Sequence, residues 1–162
     1  MTKYFFLFSM LIGLFFTVGD IPAGGSGETQ QAGDPSSARR VLIATENTQF
    51  KNSLVKKIVE LLDDGKTYIK IVDHSKKGLE GEDPAAYSAV FITNSGASAR
   101  VRPAVMNWLD SIGGKDKNII LHTTQITVWD PPVKVDSVTS ASSMADLEPI
   151  AKNLTEKIRR LL

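Results

Sequence analysis

Four short stretches of this chain, 41–44 (VLIA), 68–73 (YIKIVD), 89–93 (AVFIT) and 119–122 (IILH), are apolar almost without interruption. A strand with one wet face alternates apolar and polar residues. A strand covered on both faces does not, and that is the condition of a parallel sheet sandwiched between helices. The segments between these runs supply the helices. Over about 52–62, Leu54, Ile58, Leu61 and Leu62 share one side while Lys56, Lys57 and Glu60 take the other, and Gly65 closes the element. A second helix is expected over about 101–112, with Pro103 in its first turn and Val101, Val105, Trp108, Leu109 and Ile112 as its buried stripe, stopped by Gly113-Gly114. Val135 to Thr139 reads as a fifth strand. Beyond it, Ser143 and Asp146 have the spacing of a capping box ahead of a last helix carrying Leu147, Ile150, Leu154, Ile158 and Leu161.

Strands and helices in this order define an α/β domain of three layers, a doubly wound parallel sheet with helices on both faces. Two connections are lean. Residues 74–87 (HSKKGLEGEDPAAY) show little helical period, and 123–134 barely reach the length of a crossover and contain Pro131-Pro132. Reduced helices are therefore expected after the second and fourth strands.

The remaining sequence precedes this domain. Lys3 and the apolar run 4–16 (YFFLFSMLIGLFF), followed by Ala23, have the layout of a secretory signal peptide over 1–23, and the apolar run is short for a membrane span. Cleavage would leave no stable membrane span and a periplasmic or secreted product. Residues 24–38 (GGSGETQQAGDPSSA) lack large apolar side chains and read as a flexible linker, leaving 39–162 as one globular domain. With no cysteine in the chain, disulfides and thiolate metal sites are excluded. A net charge of +1 with no basic stripe argues against nucleic acid as a partner.

Two segments carry a family resemblance. In 85–121 (AAYSAVFITNSGASARVRPAVMNWLDSIGGKDKNIIL) a tyrosine precedes an apolar strand, a loop of small residues follows, and the next helix carries the pair Trp108-Leu109. Together with 135–158 (VDSVTSASSMADLEPIAKNLTEKI), this resembles the central and final segments of the flavodoxin-like family. The resemblance implies a five-stranded parallel sheet in the order 2-1-3-4-5, with a ligand site at the carboxyl ends of the first and third strands. It further implies FMN as cofactor, its phosphate held at the turn that opens the first helix. Carried onto this chain, Thr45, Asn47, Thr48 and Gln49 would hold the phosphate. Ser95, Gly96 and Ala97 would line the ring, Thr123 and Thr124 would border it, and Trp129 would stack on it.

The same turn has a second reading. The family's glycine is absent from 45–49 (TENTQ), and Glu46 puts a negative charge where a phosphate would approach, whereas a carboxylate near a helix N-terminus is stabilising in itself. Helix capping accounts for these residues as well as phosphate binding does. Arg100 and Arg102 stand where they could meet an anion, and His122 at a strand end reads as a hydrogen-bonded edge residue. The places where receiver domains need acidic residues after the first strand, an aspartate ending the third and a lysine ending the fifth hold Thr45-Glu46, Thr93-Asn94 and Ser140, and no phosphate-binding glycine loop or nucleophile elbow is present. Two functions are thus expected. The first is an exported FMN-binding electron-transfer protein with a redox partner, an enzyme only in that flavin-dependent sense. The alternative is a non-catalytic interaction or ligand-sensing module that has lost the cofactor.

Overall fold

The computed structural model describes residues 29–96, 100–113, 117–126 and 130–162. In chain order the elements are β1 (Gln30–Ala32), β2 (Arg39–Thr45), α1 (Gln49–Leu62), β3 (Thr67–Asp73), α2 (Lys76–Leu79), β4 (Ala89–Ser95), α3 (Pro103–Ser111), β5 (Ile119–Thr124), β6 (Asp136–Ser140) and α4 (Leu147–Arg159). The sheet runs β1-β3-β2-β4-β5-β6. Its five parallel strands, β3-β2-β4-β5-β6, follow the order expected of the flavodoxin-like arrangement.

The sixth strand was not expected. Gln30–Ala32 lie antiparallel to β3, with Gln30 opposite Ile71 and Ala32 opposite Ile69, so part of the stretch read as a linker belongs to the sheet. Backbone pairing and the burial of Ala32 help hold it there, and no hydrophobic alternation announces it. Gly33 lets the chain leave the strand: its φ is +78°, and a Cβ there would lie 2.2 Å from the Thr67 carbonyl oxygen. The added strand covers the open edge of β3.

The apolar runs become the interior for the reason their pattern gives. Alternate residues of β2 feed opposite layers. Val41 and Ile43 pack with Phe50, Leu54 and Ile58 of α1 and Leu154 and Ile158 of α4. Leu42 and Ala44 pack with Leu79, Val105 and Trp108 on the other face. Each fully buried leucine or isoleucine of this kind contributes about 1.5–3 kcal/mol.

α1 begins three residues before the hydrophobic spacing places it, at Gln49, which brings Lys51 inside the helix. The connection after β3 is reduced to the four-residue α2 and a 3-10 turn, Pro84–Ala86. Among the described residues, no helix joins β5 to β6. Ser143 makes no side-chain cap; a single 3-10 turn, Met144–Asp146, leads into α4, and the Asp146 amide donates to the Ser143 carbonyl at 3.2 Å instead. A backbone turn therefore replaces the expected capping box.

From β2 the chain crosses to β3 on one side, and β4 pairs with β2 on the other. The carboxyl ends of β2 and β4 therefore flank the topological switch point, whose crevice is the place where folds of this topology bind ligands.

Candidate functional site

The turn 45–48 leads out of that crevice into α1. Thr48 is the N-cap of the helix, and its hydroxyl accepts from the Lys51 amide at 3.4 Å. Asn47 Oδ1 accepts from Asn52 Nδ2 at 2.8 Å. The Thr45 hydroxyl donates to the Glu46 carbonyl at 3.3 Å, and Gln49 is the exposed first residue of the helix. The polar groups of the turn are thus engaged locally, in the way a helix start requires.

Glu46 does the opposite and points across the crevice. Its Oε1 lies 3.0 Å from Lys51 Nζ and accepts from the Ser95 hydroxyl, while Oε2 faces His74 Nε2 at 3.3 Å and Arg102 Nη2 at 3.7 Å. One carboxylate thus gathers three hydrogen-bond donors, from the first turn of α1, the residue after β3 and the end of β4, with the guanidinium of the residue before α3 paired to it at longer range.

Lys51 is the most deeply placed of them, its side chain 1% exposed. Its ammonium donates to Ser95 Oγ at 3.1 Å and to Thr124 Oγ1 at 2.7 Å, besides facing Glu46, so each of its three hydrogens has an oxygen. Burial and the neighbouring Arg102 charge push Lys51 below the ordinary lysine range, and Glu46 opposes that shift. Burial alone would raise the Glu46 carboxyl. Hydrogen bonds from His74, Ser95 and Lys51, with the Lys51 charge, outweigh it and hold the carboxyl far below the ordinary carboxylate range. His74 must carry its proton on Nε2 to serve this carboxylate, which leaves its buried Nδ1 without a partner among the described residues.

A second, neutral cluster lies beside the first. Thr93 Oγ1 and His122 Nδ1 are 2.9 Å apart, as are His122 Nε2 and Ser140 Oγ. Ser140 donates its own proton to the Ala141 carbonyl at 3.0 Å, so it accepts from Nε2–H, and Nδ1 in turn accepts from Thr93. Burial, with the Lys51 charge adding to it, pushes His122 down to about 3 and keeps it neutral. Asn94, fully buried, donates to the His122 carbonyl and to Thr123 Oγ1, at 3.2 and 3.0 Å, and accepts the Arg102 amide at 3.2 Å.

Of the residues expected around a cofactor, the structure brings Ser95 and Thr124 together on Lys51. It leaves Thr45, Asn47, Thr48 and Gln49 on the turn itself. Thr123 is fully buried, and Gly96 is packed so that a Cβ would sit 2.9 Å from Gln125 Oε1 and 3.1 Å from Thr123 Cγ2. Ala97 and Trp129 lie outside the described residues. Sequence reasoning passed over Lys51 and His74. The signal for Lys51 was its spacing: it precedes Leu54 by three residues and Ile58 by seven, which puts a lysine on the apolar stripe of α1. His74 carried only its position at the end of a strand.

Fold and crevice together define a doubly wound α/β domain with its polar site at the topological switch point. No family model matches the chain, and no curated protein matches its sequence. Among solved structures it is similar to a flavodoxin from the domain Archaea, at a TM-score of 0.52 and 7% identity, over 75% of this chain and 98% of that one. It is also similar to the Flv1 flavodiiron core from Synechocystis sp. PCC6803, at a TM-score of 0.52 and 7% identity over 78% of this chain. The match spans 36% of the Flv1 chain. The fold of this protein is flavodoxin-like.

Proposed function

We propose that this chain is a flavodoxin-like domain that works without FMN, as an interaction or ligand-sensing module. The observation that carries this reading is the pair of buried Lys51 with part-buried Glu46 at the switch point. A phosphate dianion approaching the turn would meet a carboxylate that its surroundings hold ionised. It would find Lys51 with all three hydrogens engaged, and Thr48 committed to the helix start. Gly96, on the loop that would face the ring, is packed against Thr123 and Gln125. The described residues at the turn do not fit the cofactor's phosphate. The apolar run 4–16 with Ala23 after it supports delivery of the domain to the periplasm or the exterior, ahead of which a short tether would be cut from its signal segment.

The second reading, an exported FMN-dependent electron carrier with a protein redox partner, is favoured by the fold and by the hydroxyls of Thr45, Ser95 and Thr124 around the crevice. Titrating FMN with purified, folded protein separates the two. The expected outcome is flavin fluorescence that stays unquenched and visible bands that do not shift. Saturable quenching with a flavin spectrum retained through gel filtration would establish the carrier instead.

A further inference from the structure

We infer that Glu46 is an internal ligand: its carboxylate fills an oxyanion site built by Lys51, His74, Ser95 and Arg102, and its removal opens that site to inorganic phosphate. The inference rests on the reading that the crevice holds no FMN, and extends it to what the crevice was shaped to hold.

The donors come from four separate elements and converge on one point. They reach the two carboxylate oxygens in pairs, Lys51 and Ser95 on Oε1, His74 and Arg102 on Oε2. A helix that needed only a neutral or acidic first turn would not require this, since Thr48 already caps α1. Convergence of cationic and hydroxyl donors from several elements is what a bound oxyanion requires.

Charge points the same way. Lys51 and Arg102 set two basic side chains against the single carboxylate of Glu46. Without the carboxylate, Lys51 would keep only the hydroxyls of Ser95 and Thr124, buried and uncompensated. An ammonium so placed draws in an anion from solution. The carboxylate end of the site is open to solvent in part, with Glu46 14% and Arg102 44% exposed, while Lys51 at the base is 1% exposed.

Size agrees as well. A glutamate side chain beyond Cα has the same number of heavy atoms as a phosphate ion, so Glu46→Gly clears a space of the right order and leaves every donor in place. Phosphate would take the Lys51 and Ser95 donors on one oxygen and those of His74 and Arg102 on others. The chain has thus exchanged an external anion for one it carries itself. That exchange makes the domain independent of the ligand for its stability.

The test is unfolding of Glu46→Gly in sodium phosphate against sodium chloride of equal ionic strength, beside wild type, Glu46→Gln and the double variant Glu46→Gly with Lys51→Met. A ligand bound only by the folded state raises the folding equilibrium about 100-fold when present at about 100 times its Kd. Glu46→Gly is expected to gain at least about ten-fold in that equilibrium at tens of millimolar phosphate. Wild type and Glu46→Gln, whose side chains still fill the space, are expected to show no gain, and the double variant is expected to lose it.

If Glu46→Gly does not fold in chloride, phosphate is expected to restore its far-ultraviolet circular dichroism, and Glu46→Ala provides the folded comparison. A response to phosphate no larger than that of wild type in Glu46→Gly, or in Glu46→Ala where glycine does not fold, overturns the inference. That result with unquenched FMN over the wild type removes the inference alone. FMN uptake by the wild type removes the reading beneath it.

Discussion

Along the carboxyl edge of the sheet, two buried polar clusters lie side by side and are satisfied in different ways. Between β2 and β4 the groups are charged, with Glu46 set against Lys51, His74 and Arg102. Across β4, β5 and β6 they are neutral, with His122 held between Thr93 and Ser140 while Asn94 ties the loop to Arg102. A neutral network needs only that each donor finds an acceptor. A charged one also needs its charges balanced, and removing one member leaves the other stranded in a poorly solvated place. The first cluster therefore sits where an outside ion could substitute for an inside one. The second holds no charge for an ion to replace, and through Asn94 it ties the end of β4 to Arg102.

Acid should expose the neutral cluster most strongly. In the unfolded chain His122 takes up its proton near pH 6.5, while in the fold it stays neutral down to about 3. Below 6.5 the unfolded state binds the extra proton, so the His122 contribution is whole above that value and falls as the pH drops toward 3. The full loss is about 4–5 kcal/mol. Glu46 adds to this only lower down. Its depressed pKa makes its contribution whole above the ordinary value of 4.5 and progressively lost below it. Urea unfolding across pH is therefore expected to decline from about 6.5 and to steepen below 4.5. His122→Gln is expected to flatten the upper part of that curve and leave the lower part. An unchanged upper limb in the variant would show that His122 is not held neutral.

At neutral pH the charged cluster should respond more than its neighbour. Lys51→Met strands the Glu46 carboxylate with only His74, Ser95 and the distant Arg102, and is expected to lose about 3 kcal/mol in urea unfolding. A loss below about 1 kcal/mol, the range of exposed pairs, would mean that Glu46 is served well enough by water and that the two clusters do not differ in kind.

The smallest effect separates capping from phosphate binding at the turn. Thr48→Ala is expected to lose about 1 kcal/mol, and Thr48→Asp to recover it, since aspartate caps as well as threonine does. Equal losses in both variants, read by thermal unfolding, would show that the threonine hydroxyl does more than cap.

The sheet was legible because a parallel strand covered on both faces writes itself as a nearly continuous apolar run. Thus 41–44, 68–73 and 89–93 placed β2, β3 and β4 within a residue or two. β1 was not, because Gln30 and Gln31 join the sheet through their backbones and carry no pattern of their own. The capping box at Ser143 failed for a related reason: a 3-10 turn satisfies the same amides through backbone carbonyls.

At the candidate site the opposition of Glu46 to a phosphate could be read from the turn alone. Its partner Lys51 could not, because the spacing of leucines starts the helix at about 52 while the chain starts it at Gln49. Ser95 and Thr124 were placed at the crevice by strand ends. That both serve a lysine is a fact of three-dimensional register, which one sequence does not contain.

The central claim is that Glu46 lies ionised against Lys51 in the switch-point crevice. Its side-chain carboxyl can be followed directly by carbon-13 NMR across an acid titration of the wild type. The resonance is expected to stay at its ionised position through the pH at which ordinary glutamates are half protonated, about 4.3. A Glu46 carboxyl that titrates together with the exposed glutamates of the chain would contradict it.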